Sequence, residues 1–106
     1  RDFSYVDNVI EANLLACTAP KEACGQVYNI ACGERTSLND LYNKICKLLD
    51  KYVEPNYSPS RQGDVKHSLA DISKAQELLG YQPKYDVFKG LETAIHWYVE
   101  QAPNWL

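Results

Sequence analysis

Apolar residues recur at three- and four-residue spacing over several stretches of this chain, and residues that stop helices separate those stretches. The clearest run is Leu38, Leu41, Tyr42, Ile45, Leu48, Leu49 and Tyr52, a spacing that lays one apolar face along a helix. Ser37 with Asp40 three residues later has the form of a capping box, with Asp in place of the better Glu. Lys44, Lys47 and Lys51 are expected on the opposite, solvated side. Upstream, Val9, Ile10, Ala12, Leu14 and Cys17 fall largely on one side of a helix that Asp7 is placed to cap. Pro20 and Gly25 punctuate the break that follows it. Downstream, Asp71 is expected to cap a shorter helix running to about Leu79, with Gly80 as its stop. Residues 81–85 read as a loop, and Asp86 caps a last helix carrying Val87, Leu91, Ala94, Ile95, Tyr98 and Ala102. Pro103 ends it, since proline cannot donate to the helix ladder. The tail from Ala102 reads as frayed, with Trp105 either exposed or packed on a missing partner.

One stretch departs from the helical period. Val27-Tyr28-Asn29-Ile30-Ala31, closed by Gly33, reads as a short buried strand, and Phe3 and Tyr5 suggest a short extended entry. A strand buried on both sides needs neighbours, because unpaired buried amides are costly. Only short candidates near Tyr57 and Val65 are available, so the sheet it joins is expected to lie outside this sequence. The expected fold is therefore helix-rich α/β, with residues 1–106 forming one portion of a longer chain.

Composition narrows the function classes. A net charge of −3 without a basic run argues against nucleic acid as a partner. No apolar run approaches the roughly 20 residues of a membrane helix. The N-terminus lacks the apolar segment of a signal peptide, and the chain contains no Met, so Arg1 reads as a processed end or a cut through a longer protein. Cys17, Cys24, Cys32 and Cys46 form no C-x-x-C pair and stand far from His67 and His96, which argues against zinc. Cys17 and Cys46 fall in apolar stripes, where a thiol serves as a small hydrophobe. An even cysteine count permits disulfides, but the expectation is a reduced, cytoplasmic chain.

Candidate chemistry is sparse. Gly25, Gly33, Gly63, Gly80 and Gly90 are too scattered for G-x-G-x-x-G or a P-loop, so this chain itself is not expected to bind NAD. Tyr81 and Lys84 have the wrong spacing for Tyr-x-x-x-Lys, His67 and Ser68 are adjacent rather than opposed, and His96 is expected to be structural. No residue is assigned a catalytic role. The exception to this blandness is Arg61-Gln62-Gly63-Asp64-Val65-Lys66-His67-Ser68, between a proline-flanked segment and the Asp71 helix. Gly63-Asp64 permits a turn that can aim Arg61 and Asp64 at one ligand. Arg offers a planar fork of donors to phosphate oxygens, and Asp accepts from hydroxyls, which together suit a nucleotide sugar. The competing reading is a surface turn with an Arg–Asp ion pair and no further role.

The residue order also resembles a known family. Arg1-Asp2-Phe3-Ser4-Tyr5-Val6-Asp7-Asn8 resembles the R-D-[FY]-x-x-V-x-D segment of extended short-chain dehydrogenases/reductases, with Asn8 where many relatives carry Asp. Val27-Tyr28-Asn29-Ile30-Ala31 with Gly33 resembles that family's YN(I/V)…G strand, and Arg61-Gln62-Gly63-Asp64 its R-x-G-D loop. The run from Ser68 to Ala75, then Leu78-Leu79-Gly80-Tyr81-Gln82-Pro83, follows the same order. Within the NAD-dependent epimerase/dehydratase branch, the chain most resembles bacterial UDP-N-acetylglucosamine 4-epimerases.

The resemblance implies the C-terminal, UDP-sugar-binding portion of a Rossmann-type enzyme, inactive as this piece alone. NAD and a Tyr-x-x-x-Lys pair would belong to an N-terminal Rossmann domain upstream of Arg1, in a parent that is a homodimer. The parent would oxidise C4 of the sugar transiently and return hydride to the other face. Arg61 would hold the diphosphate, Asp64 a ribose hydroxyl, and Ser68 would line the sugar pocket. Other reactions on that scaffold (a uronate epimerase, decarboxylase or dehydratase) and a non-catalytic binding module remain alternatives.

Overall fold

Ser37 and Asp86 start two helices in the way their positions predict. In this computed structural model, which describes residues 1–104, Ser37 Oγ accepts from the Asp40 amide at 3.0 Å and donates to Asp40 Oδ2 at 2.6 Å. Asp86 Oδ1 accepts from the Lys89 amide at 2.8 Å. These caps open α2 (Leu38–Leu49) and α4 (Val87–Gln101), while α1 (Val6–Cys17) and α3 (Ser73–Leu79) complete the α-helices among the described residues. Single 3₁₀ turns span Lys21–Ala23 and Ala102–Asn104. Asp71 does not cap α3: Ile72 holds the cap position with no side-chain bond, and Asp71 closes a turn just ahead of the helix, accepting from the Ser73 amide at 3.0 Å and from Ser73 Oγ at 2.6 Å. Those bonds hold the Asp71 carboxyl below its ordinary range. Gly80, at φ +67°, ends α3 and lets the Tyr81 amide reach Ala75 O at 3.2 Å. The Trp105 expectation lies outside the described residues.

Several expectations need correction. Asp7 does not cap α1; Tyr5 occupies the cap position with no side-chain bond, and Asp7 sits in the first turn, where its charge suits the helix dipole. The apolar stripe of α1 is turned outward: Val9, Ile10 and Leu14 are 38%, 49% and 61% exposed, while Asn8 and Ala12 are buried and Leu15 packs on the core. Lys44 does not stand on a solvated face, because its ammonium pairs with Glu92 between α2 and α4. Leu38 and Tyr52 are exposed rather than part of a continuous apolar face, since α2 packs mainly on α4 and ends at Leu49. His96 is exposed on α4.

The expected strand at residues 27–31 is extended but unpaired, and no ladder forms among the described residues. Nor is it buried on both sides: Tyr28, Ile30 and Ala31 turn inward, and Val27 and Asn29 turn outward. Side chains serve its carbonyls instead. Tyr81 Oη donates to Ala31 O at 2.7 Å, and Lys74 Nζ to Val27 O at 3.1 Å.

The core holds Ala12, Ala23, Ala31, Ile72, Ala75, Leu79 and Tyr81, drawn from α1, the first 3₁₀ turn, the extended segment and α3. A second layer, α2 against α4, meets this one at Tyr5, whose ring stacks at a tilt on Tyr85 with centroids 4.9 Å apart. Asn8 ties the layers further. Its Oδ1 accepts from the Lys84 and Tyr85 amides at 2.9 and 3.1 Å, and its Nδ2 donates to Tyr85 O at 2.7 Å. Asn8 is thus a buried clamp on the loop before α4. The Cα radius of gyration is 16.9 Å, against about 13 Å for a compact domain of this length, so the layers spread instead of closing into a ball.

Candidate functional site

The 61–68 loop begins with the turn its sequence predicts. Gly63 adopts φ +86°, and the Asp64 amide donates to Arg61 O at 3.2 Å. Arg61 Nε faces Asp64 Oδ2 at 3.4 Å, with the arginine side chain 87% exposed. An exposed pair of this kind is worth only about 0–1 kcal/mol, so a diphosphate could take the guanidinium from Asp64 at little cost.

Beside the turn lies an open cleft of about 860 Å³. Asp64, Val65, Lys66 and His67 line one wall, and the residues leading into α2 line the other. Arg1 and Arg35 enter the same cleft. Ser37, the α2 cap, also borders it, so the helix N-terminus with its partial positive charge lies at the wall. The lining of the cleft includes the cations Arg1, Arg35 and Lys66 and the acids Asp40 and Asp64. Such an arrangement can bind a dianionic diphosphate while leaving a carboxylate for sugar hydroxyls.

Of the three residues singled out from sequence, Asp64 lines the cleft. Arg61 lies beside it, paired with Asp64, and Ser68 is exposed and outside the lining. Arg1 and Arg35 escaped the sequence reading because they stand 60 and 26 positions before Arg61. Their only signal was that Arg1 opens the segment carrying the family resemblance. Arg1 reaches the loop directly, its guanidinium donating to Val65 O.

Outside the cleft, several thiol and phenol groups are held toward their neutral forms. Burial pushes the Cys32 thiol up, with Glu34 and Asp2 adding to the effect, and Cys32 donates to Tyr85 O at 3.1 Å. Burial likewise raises Tyr81. Tyr42 is pushed up to about 12, first by its hydrogen bond with Cys46. No group of three or more His, Cys, Asp or Glu among the described residues is arranged to hold a metal, and no described helix is long and apolar enough to cross a membrane.

The model of the GDP-mannose 4,6 dehydratase family matches residues 1–94. A putative UDP-glucose 4-epimerase of Methanocaldococcus jannaschii is 36% identical over 97 residues, covering 92% of this chain and 30% of that protein. The solved UDP-glucose 4-epimerase of Thermotoga maritima with UDP-glucose superposes at a TM-score of 0.86 and 36% identity, over 96% of this chain and 32% of that one. The UDP-glucuronic acid 4-epimerase of Bacillus cereus, in complex with UDP-glucuronic acid and NAD, gives 0.84 and 36%, also over 96% and 32%. The chain therefore spans about a third of the length of the relatives it matches.

Proposed function

Because the chain belongs to the NAD-dependent epimerase/dehydratase family of short-chain dehydrogenases/reductases, we propose that it is the C-terminal, UDP-sugar-binding part of an NAD-dependent UDP-hexose 4-epimerase. The observation that carries this reading is the cleft where Arg1, Arg35 and Lys66 converge with Asp64 beside the Arg61 turn. In it, Arg61 leaves Asp64 for the diphosphate, and Asp64 accepts from a ribose hydroxyl. NAD does not fit the residues present. The five glycines are dispersed, and the described residues contain no strand–helix–strand unit to cradle a dinucleotide. No hydride step is therefore derived from this chain, and the cofactor is assigned to an upstream Rossmann domain.

The test is titration of the chain with UDP, followed by the amide shifts of residues 60–67. Saturable shifts confined to the cleft are expected. Arg61→Ala should weaken binding by roughly 1.5–3 kcal/mol, the usual worth of a charge-assisted bond, and Arg61→Lys should recover only part. No shift in the wild type would refute the reading.

The finer assignment is an N-acetylated sugar. Ser68 is small, exposed and outside the lining of the cleft; this assignment requires the upstream domain to complete a sugar pocket against it, where a small residue leaves volume for an acetamido group and for the sugar to turn between its two faces. A large pocket loses little with a smaller sugar, whereas a small one excludes the larger. Ser68→Tyr in the full-length enzyme should then abolish kcat/KM for UDP-N-acetylglucosamine and spare UDP-glucose. A uronate is the second reading, favoured by Lys66 and His67 on the cleft wall, cationic or protonatable groups that suit a C6 carboxylate. UDP-glucuronate in the same assay decides between them.

A further inference from the structure

The 61–68 loop has almost nothing to hold it in place by packing: every residue from Arg61 to Leu69 is exposed, and Ala70 is the first to be partly buried. Its turn bonds are internal, from the Asp64 amide to Arg61 O and between the Arg61 and Asp64 side chains. Among the described residues, the hydrogen bonds tying residues 61–70 to the rest of the fold run to the first two residues of the chain. Arg1 donates to Val65 O, and Asp2 Oδ2 accepts from the Ala70 amide at 3.3 Å.

Asp2 does more than this one bond requires. Its Oδ2 also accepts from the Gly33 amide at 3.0 Å, and its Oδ1 from the Cys32 amide at 3.0 Å. The neighbouring Arg1 exchanges backbone bonds with Thr36, its backbone nitrogen donating to Thr36 O and its carbonyl accepting from the Thr36 amide, both at 2.9 Å. Thr36, itself buried, leads straight into the α2 cap on the opposite wall of the cleft. One carboxylate thus joins the base of the loop to the segment that carries the other wall. Three converging N–H donors call for an acceptor-only group with lone pairs to spare, which a carboxylate is and an amide is not.

We infer that Asp2 is a positioning residue for nucleotide-sugar binding: it fixes the separation of the two cleft walls by holding Cys32, Gly33 and Ala70 on one carboxylate. The inference rests on the proposed UDP-sugar site. With the bond lost, the loop spends less time in the arrangement a ligand needs, and apparent affinity falls in proportion to that fraction. A loop correctly placed one-tenth of the time weakens UDP binding about tenfold. The turnover step, which needs no group on this loop, keeps its rate.

Asp2→Asn in the full-length protein tests this, with Asn8→Ala as a control that removes three hydrogen bonds at the loop before α4, away from the cleft. Hydrogen exchange without ligand should quicken in Asp2→Asn over residues 61–70 and 31–34, and stay unchanged over α2. Its UDP Kd and UDP-sugar KM should rise about tenfold, with kcat within about twofold. The control should lose thermal stability and keep its Kd. Unchanged loop exchange, or a loosened loop with unchanged Kd, would overturn the inference. A wild type that binds no UDP would instead overturn the proposed function, while the exchange comparison still decides whether Asp2 orders the loop. Should Asp2→Asn not fold, Asp2→Ser, which keeps one acceptor oxygen, carries the same comparison.

Discussion

Asn8→Ala is the sharpest test of how the two layers are joined. Asn8 is 1% exposed, and its amide makes three bonds to backbone groups of Lys84 and Tyr85, 76 and 77 positions away. Each such bond is worth roughly 1 kcal/mol net, and an orphaned buried donor or acceptor costs about 1–3 kcal/mol. Lys84 is exposed, so water can serve its amide, whereas Tyr85 is half-buried and its N–H and C=O are harder to reach. Alanine returns about half a kcal/mol in helix propensity. The net expectation is a loss of roughly 2–3 kcal/mol, a large share of the 5–15 kcal/mol typical of a domain. Urea unfolding reads this as a lower midpoint at unchanged slope. Asn8→Asp should not rescue the loss: it keeps both amide donors but sets a carboxylate oxygen against Tyr85 O, where the amide donated at 2.7 Å, in a site only 1% exposed. A loss below about 0.5 kcal/mol for Asn8→Ala, the scatter of ordinary surface substitutions, would refute the clamp.

Gly90→Ala should destabilise by roughly 1–3 kcal/mol despite its better helix propensity, because a Cβ there would stand 2.6 Å from Tyr5 Cβ, at the root of a side chain that cannot swing away; an unchanged urea midpoint would contradict it. Tyr81→Phe should cost about 1–2 kcal/mol, since the fully buried hydroxyl is bonded to Ala31 O at 2.7 Å, and thermal unfolding measures it. Asp71 adds a pH dependence. Its folded pKa lies below the ordinary value, so its contribution is present above the unfolded pKa of about 3.9 and is lost as pH falls through the folded one. Urea midpoints of Asp71→Ala and wild type should therefore differ near neutrality and converge in strong acid; a pH-independent gap would refute that origin.

What the sequence made legible was local. The Ser37 and Asp86 caps, the Gly80 stop and the turn at Gly63 each depend on residues within a few positions of one another. What it hid was set by distant partners. The apolar residues of α1 do form a stripe, but periodicity cannot say which side of a helix meets the core, and here Asn8 and Ala12 do. Lys44 has the look of a solvated cation until Glu92, 48 positions on, is brought beside it. The cleft was half visible: Arg61 and Asp64 are neighbours in sequence, whereas Arg1 and Arg35 join them only through the pairing of Arg1 with Thr36.

The outward stripe and the unpaired extended segment have one physical origin. Val6, Ile10 and Leu14 stand one and two turns apart on α1, and each is about half exposed or more; Val27, on the extended segment, is 85% exposed. Fully burying a large aliphatic side chain contributes roughly 1.5–3 kcal/mol, so these four, partly exposed as they are, forgo several kcal/mol, a large share of the stability of a small domain. Meanwhile the core that does form is made chiefly of alanines, side chains too small to hold a 16.9 Å radius of gyration together by themselves. A sequence that spends its large aliphatic residues on the outside and its small ones inside is shaped for a surface on each side. The proposed upstream domain would supply the outer one, and the sheet edge for residues 27–31 with it. The cleft lies on neither of these faces. Its two walls are tied together at Arg1 and Asp2, through polar bonds rather than apolar packing.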